Sequence, residues 1–256
     1  MKFLCVSDQI DPLVYSSTVK ERYGDVDAVF CAGDLSMEYV DFIVDALGKP
    51  TFFVFGNHDL KEYKYYKNKM FSDSLFSGSV FKFEGTGVEH AHGADYASNK
   101  NIRCKNLTFK TPDGKTTPLL ISGVTGSIRY NNGQAQFTDK QMKRQLVAMI
   151  PGLIWNKIRY GRYCDIFLTH ASPRHIHDKE DQCHKGFDCF NWFIKKFSPG
   201  LMIHGHIHLY DLQATRCTVS ENTTVINAYS HIVVEFEPNL KKGANFGADV
   251  SILADR

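Results

Sequence analysis

The chain has 256 residues, 43% of them hydrophobic and 23% charged, with a formal net charge of +2. That composition supports a buried core, and so small a net charge gives no reason to expect a nucleic-acid partner. Two domains would fit the length, but α/β and β-rich folds often reach this size as one. With no linker, repeat or low-complexity tract in view, a single domain over residues 1–256 is expected.

In chain order, apolar runs predict strands at 2–7, 26–31, 51–55, 118–123, 163–169 and 200–204. Amphipathic spacing predicts helices near 14–23, 37–47, 61–71, 138–148 and 187–197. Strand–helix–strand alternation in the first half implies right-handed parallel crossovers. Beyond residue 80 the pattern changes to short runs broken by turns: Val80 to Phe83, Leu107 to Lys110 before Pro112-Asp113-Gly114, and Thr215 to Val219 before Asn222. These read as antiparallel strands and hairpins.

The seven cysteines, at 5, 31, 104, 164, 183, 189 and 217, follow no regular framework. Cys5, Cys31 and Cys164 fall inside apolar strand patterns, where a thiol behaves as a small hydrophobe. Reduced thiols of a cytoplasmic protein are the simplest reading. No apolar run reaches the ~18 residues of a membrane span. The N-terminus runs straight into a strand, leaving no room for a signal peptide. A cytoplasmic protein with no membrane partner is expected.

The strands are informative for where they stop. Phe3 to Val6 ends in Ser7-Asp8, Ala28 to Ala32 in Gly33-Asp34, and Thr51 to Phe55 in Gly56-Asn57-His58-Asp59. Asp165 to Leu168 ends in Thr169-His170, and Gly200 to Ile203 in His204-Gly205-His206-Ile207-His208. In open α/β sheets, ligands gather beyond the carboxyl ends of the strands. Carboxylate and amide oxygens mixed with imidazole nitrogens suit a first-row transition metal better than calcium. A glycine between His204 and His206 lets the backbone turn, so that His206 and His208 can reach one centre.

In this order the motifs resemble the calcineurin-like metallophosphoesterases, across roughly residues 2 to 236. The resemblance implies a four-layer α/β/β/α sandwich with two mixed sheets. It also implies two divalent transition-metal ions (manganese, iron, zinc or nickel) at a dinuclear centre. One site would use Asp34, Asn57, His170 and His206, the other Asp8, Asp34 and His208, with Asp34 as the bridge. The family's first motif places a histidine two residues after the first aspartate, where this chain has Ile10. Isoleucine cannot ligate, so the Asp8 site should be the weaker one. Water or Asp11 are candidates to fill the gap, although Asp11, beside Pro12, also reads as a helix cap.

By the same resemblance His58 stands near the leaving oxygen, as proton donor or as a charge stabiliser, with Asp59 to fix its tautomer. Arg129 could grip phosphate bidentately and Tyr130 could stack on a base; the alternative is a structural turn with a solvated arginine. The segment from His170 to Phe187, with His175, His177, Asp178, Asp181 and His184, reads either as a loop over the pocket, His184 touching phosphate, or as a solvated charged loop. His90, His92, His204 and His231 read as structural.

The function expected is hydrolysis of a phosphomonoester or phosphodiester by metal-activated water, on a small phosphate ester such as a nucleotide. Alternatives are a phosphoesterase-fold scaffold or binding module of little or no activity, and a nuclease.

Overall fold

The computed structural model describes residues 1–69, 93–211, 213–240 and 247–255. In chain order it contains β1 (Lys2–Ser7), α1 (Val19–Tyr23), β2 (Ala28–Cys31), α2 (Met37–Leu47), β3 (Thr51–Phe53), α3 (Tyr63–Lys69), β4 (Asp95–Tyr96) and β5 (Lys100–Lys110). Then come β6 (Thr116–Gly123), β7 (Ser127–Ile128), β8 (Gln136–Phe137), α4 (Asp139–Tyr160), β9 (Ile166–Leu168), α5 (Asp188–Phe197) and β10 (Leu201–His204). The chain closes with β11 (Cys217–Ser220), β12 (Thr223–Asn227), β13 (Ser230–Pro238) and β14 (Ala248–Asp255).

Two six-stranded mixed sheets form, one in the order β14-β13-β1-β2-β3-β4 and the other β11-β12-β10-β9-β6-β5. The strands that end in candidate ligands are parallel: β1 to β2, β2 to β3, and β10 to β9. Their carboxyl ends therefore emerge on one rim. Antiparallel partners flank them, β13 beside β1 and β5 beside β6. This is the architecture that the resemblance implied.

Strand alternation divides the hydrophobic residues among three layers. Phe3, Cys5, Phe30 and Phe52 of the first sheet face Leu119, Ile121, Ile166, Leu168 and Ile203 of the second. On the outer side of the first sheet, Leu4, Val6, Val29 and Phe53 meet Val40, Ile43 and Leu47 of α2. On the outer side of the second, Phe167, Met202 and Val225 meet α4 and α5 through Leu146, Leu153, Phe190 and Phe193.

The helices start and stop for local reasons. Ser36 Oγ accepts the Tyr39 amide at the start of α2, and Gly48 takes the left-handed conformation at its end. Thr138 and Gln141 form a reciprocal capping box at the start of α4. That helix was expected to stop near residue 148 and instead runs to Tyr160. Pro151 removes one amide donor, but it lies on the exposed face, where water can take the orphaned carbonyl. Buried Met149, Leu153 and Asn156 anchor the helix on either side. The helix expected at 14–23 shrinks to α1, because residues 11–18 turn. The expected strand from Val80 to Phe83, His90, His92 and the end of the 61–71 helix lie outside the described residues.

Asp11 is the hinge of that turn. Its carboxylate accepts the Leu13 amide at 2.8 Å, His231 Nδ1–H at 2.6 Å and the Ser230 hydroxyl, which fastens the turn to β13. Burial pushes the carboxyl pKa up, but these hydrogen bonds outweigh it and hold the group at about 2, against an ordinary 3.8. A depressed carboxyl stabilises the fold fully above its unfolded value and loses that contribution as the pH falls through the folded one. Asp11→Asn should therefore cost about 2 kcal/mol at neutral pH. Urea titrations should show the gap between variant and wild type closing between roughly pH 4 and pH 2.

Candidate metal centre

The first sheet delivers oxygen donors to the rim and the second delivers nitrogen donors. Asp8, Asp34 and Asn57 follow β1, β2 and β3, whereas His170 follows β9, and His206 and His208 follow β10. Asp34, His170 and His206 form a buried group whose ligating atoms all lie within 4.8 Å of one another. His170 Nε2 stands 3.3 Å from Asp34 Oδ2, 3.2 Å from Asn57 Oδ1 and 3.1 Å from His206 Nδ1. The structure thus brings together all four residues predicted for the fuller site.

Backbone carbonyls decide which nitrogen each imidazole presents. His170 Nδ1–H donates to the Ala32 carbonyl at 2.8 Å, so Nε2 faces the group. His206 Nε2–H donates to the Cys183 carbonyl at 2.8 Å, so Nδ1 faces it. Such outer partners orient metal ligands and fix their tautomers. Tyr130 accepts the Asn57 side-chain amide at 3.1 Å, which leaves Asn57 Oδ1 turned inward.

Close approach requires glycine at three positions. A Cβ at Gly33 would stand 2.5 Å from His170 Nδ1, one at Gly56 2.0 Å from Asp34 Oδ1, and one at Gly205 2.4 Å from Asp8 Oδ2. Asp8, Asp34, Asp59 and His206 all have positive φ, between 50° and 67°. Residues held in this sparsely populated region cluster at functional sites.

The charges settle as a pair. Burial raises the Asp34 carboxyl, but the charge and hydrogen bond of His170 and the His58 amide hold it well below the usual carboxylate range. Burial lowers His170, yet Asp34 outweighs this and lifts it to about 9. Burial, reinforced by the charge of His170, brings His206 down to about 4. The donor set of two imidazoles, a carboxylate and an amide oxygen fits a divalent transition metal. The buried Ser7 hydroxyl beside Gly205, without a hydrogen-bond partner, marks a polar lining.

The second group is looser. Asp8 accepts the His206 amide through both oxygens at 2.9 Å, and His208 Nε2 lies 3.7 Å from Asp8 Oδ1. Tyr210 pairs with His208 Nδ1 at 2.8 Å, and the Tyr229 ring lies 5.0 Å from the His208 ring. Ile10 is 49% exposed. Asp11 turns away into its bonds with Ser230 and His231, and Gln9 Oε1 is held by the Tyr229 hydroxyl at 2.8 Å.

His58 donates its amide to Asp34 Oδ1 at 2.7 Å and exposes its side chain at the mouth. Asp59 is exposed as well and makes no hydrogen bond to His58. Of the two readings of Arg129, the contacts resemble the structural turn: its guanidinium bonds the Gln136 carbonyl at 3.4 Å and Gln141 Oε1 at 3.2 Å, toward the start of α4. The 170–187 segment does lie over the pocket, since Cys183 contacts His206 and the His184 ring sits 5.4 Å from the His206 ring, braced by Asp181 at 2.8 Å. Sequence reasoning missed the orienting roles of Ala32 and Cys183, because main-chain carbonyls carry no residue signature. His204 joins a half-buried chain with His177 and Thr218 at 2.9 and 2.8 Å.

A family model described as calcineurin-like phosphoesterase matches residues 1–210. One crystal structure aligns over 99% of both chains at 12% identity with a TM-score of 0.59. The crystal structure of TT1561 of Thermus thermophilus aligns over 99% of both chains at 13% identity with a TM-score of 0.56. A zinc-complexed Vps29 of Entamoeba histolytica is 12% identical over 98% of this chain and 99% of its own, with a TM-score of 0.37. No curated protein matches the chain.

The glycines make a direct test. Gly56→Ala forces a methyl into Asp34 and His170. Its affinity for manganese, read by calorimetry, should fall by at least the 10- to 100-fold that disturbing outer-sphere partners costs.

Proposed function

The chain belongs to the calcineurin-like phosphoesterase family, and we propose that it hydrolyses a small phosphate ester, using a divalent transition metal held by Asp34, Asn57, His170 and His206. The observation that carries this reading is the convergence of those four donors, with both imidazole tautomers set by backbone carbonyls. Asp8 and His208, sharing Asp34, form the second and weaker metal site. When bound, such cations lower the pKa of water and neutralise the anionic oxygens of a phosphoryl group.

The protein's own groups position and protonate. Asp34 fixes the His58 backbone, which holds the imidazole at the solvent side of the donor group, in reach of a departing oxygen. An imidazole so placed can donate a proton to that oxygen. Tyr130 keeps the Asn57 oxygen pointed inward. A cleft of about 540 Å³ opens beside His208, lined by His177, Tyr210, Asp211 and Thr218, a volume suited to the organic part of a small ester. The scaffold reading has one observation in its favour, the exposed Ile10 at the slot of a ligand. No lone substitution at the rim removes the four-donor group, so the enzyme is preferred.

Purified protein assayed with aryl phosphomonoesters and phosphodiesters in manganese should turn over. His58→Ala should lower kcat by about 10²–10⁴-fold, and Asn57→Ala should remove activity through metal loss. Absence of turnover on any phosphate ester would favour the scaffold.

Metal titration separates the two sites. Binding should be biphasic, with turnover following the weaker phase, and Ile10→His should shift that phase to lower metal concentration. A thermal melt must accompany the variant, since a polar ring replaces an aliphatic group. Two equally tight sites in the wild-type protein would refute the inequality.

A further inference from the structure

The outer face of α4 is apolar where a surface helix is normally polar. Val147, Ile154, Trp155 and Ile158 are 47%, 48%, 57% and 74% exposed, and Pro151 lies exposed among them. Their spacing of four, three, one and three residues puts them on one stripe. Met142, Leu146, Met149, Leu153 and Asn156 form the opposite, buried face. The stripe runs about 16 Å along the helix axis. Exposed apolar patches of this kind mark interaction surfaces.

Its surroundings are cationic. Lys140, Lys143 and Arg144 are exposed one to two turns before Val147, and Arg159 is exposed after Ile158. From the adjoining α5, Lys196 reaches over the Trp192 ring at 5.6 Å, and Lys143 covers the same ring at 5.2 Å. The only acidic residue of α4 is Asp139, whose carboxylate accepts the Cys189 amide at 2.9 Å. An apolar stripe bearing tryptophan, framed by lysine and arginine, has the composition of a helix that lies in a bilayer interface and meets anionic headgroups. The shape agrees, because a ridge on a single helix needs no matching groove when the opposing surface is soft and flat.

We propose that the exposed face of α4 docks the protein peripherally on an anionic lipid membrane. Val147, Ile154, Trp155 and Ile158 enter the interface while Lys140, Lys143, Arg144 and Arg159 meet the headgroups. The expectation of no membrane partner rested on the want of a spanning segment, and no helix among the described residues is long and apolar enough to cross a membrane. A helix lying flat needs no such length. The inference is independent of the phosphoesterase reading.

The test is cosedimentation of the full chain with vesicles of phosphatidylcholine alone or containing about one-third phosphatidylserine. Binding should be on the order of tenfold or more tighter on the anionic vesicles and should weaken with salt. In a Trp192→Phe background, Trp155 emission should shift to the blue on binding. Ile158→Asp with Trp155→Gln should abolish binding, and Lys140→Glu with Arg144→Glu should weaken it on the order of tenfold. All four positions are exposed, so circular dichroism should report an unchanged fold. Failure to bind anionic vesicles, or wild-type binding by both double variants, overturns the proposal. Self-association in the absence of vesicles that Ile158→Asp removes also overturns it, and assigns the face to contact between copies.

Discussion

The candidate site exists because two sheets are packed against one another in one particular alignment. Every candidate oxygen ligand follows a strand of the first sheet and every candidate imidazole ligand a strand of the second. The distances across that seam, 3.3 Å from His170 to Asp34 and 3.2 Å to Asn57, are therefore set by the residues between the sheets. Phe3, Phe30 and Phe52 on one side and Ile121, Leu168 and Ile203 on the other form that layer. Protein interiors pack too densely to absorb even small volume changes silently. A change in the inner layer would move donor against donor even though it touches none of them.

The same alignment accounts for the strain at the rim. Chains from facing sheets can meet only if they turn sharply as they leave their strands, and the turns at Asp8, Asp34 and His206 use left-handed backbone. Glycine removes the remaining obstacle where the approach is closest. Such geometry costs free energy that the packed layers must offset. Burying the Asp34 carboxylate at the seam, 3.3 Å from His170, adds to that cost, since taking a charge out of water is expensive.

Much of this was legible in the sequence because buried parallel strands read as short apolar runs and each run ended at a polar donor. Those motifs carried the resemblance, and the resemblance implied the four-layer fold and the grouping of Asp34, Asn57, His170 and His206. Less was legible where the signal lies in tertiary contact. Only Leu107 to Lys110 of the long strand β5 was expected; its earlier part, half-exposed and largely polar, lacks an apolar run. The amphipathic pattern predicted a helix only to about residue 148, and the burial of Leu153 and Asn156 shows why α4 continues through Pro151. Arg129 was open between a phosphate grip and a structural turn, and its reach toward Gln141 depends on the path of the β7–β8 turn. Asp11 carries no sequence mark of its tie to a strand more than two hundred residues away.

That distant tie bears on the order in which the molecule can be made. β1 lies between β2 and β13, so during synthesis one edge of β1 stays open until Ser230–Pro238 arrives. The oxygen donors are synthesised by residue 57, and the imidazoles that complete them are not reached until 170 and 206. Pairings this remote in sequence are slow to form, since the intervening chain must be ordered first. During that interval an exposed apolar strand edge invites non-native pairing. Vectorial synthesis thus leaves half of a cation site waiting on an unfinished sheet, and chaperone demand should be greatest in that window.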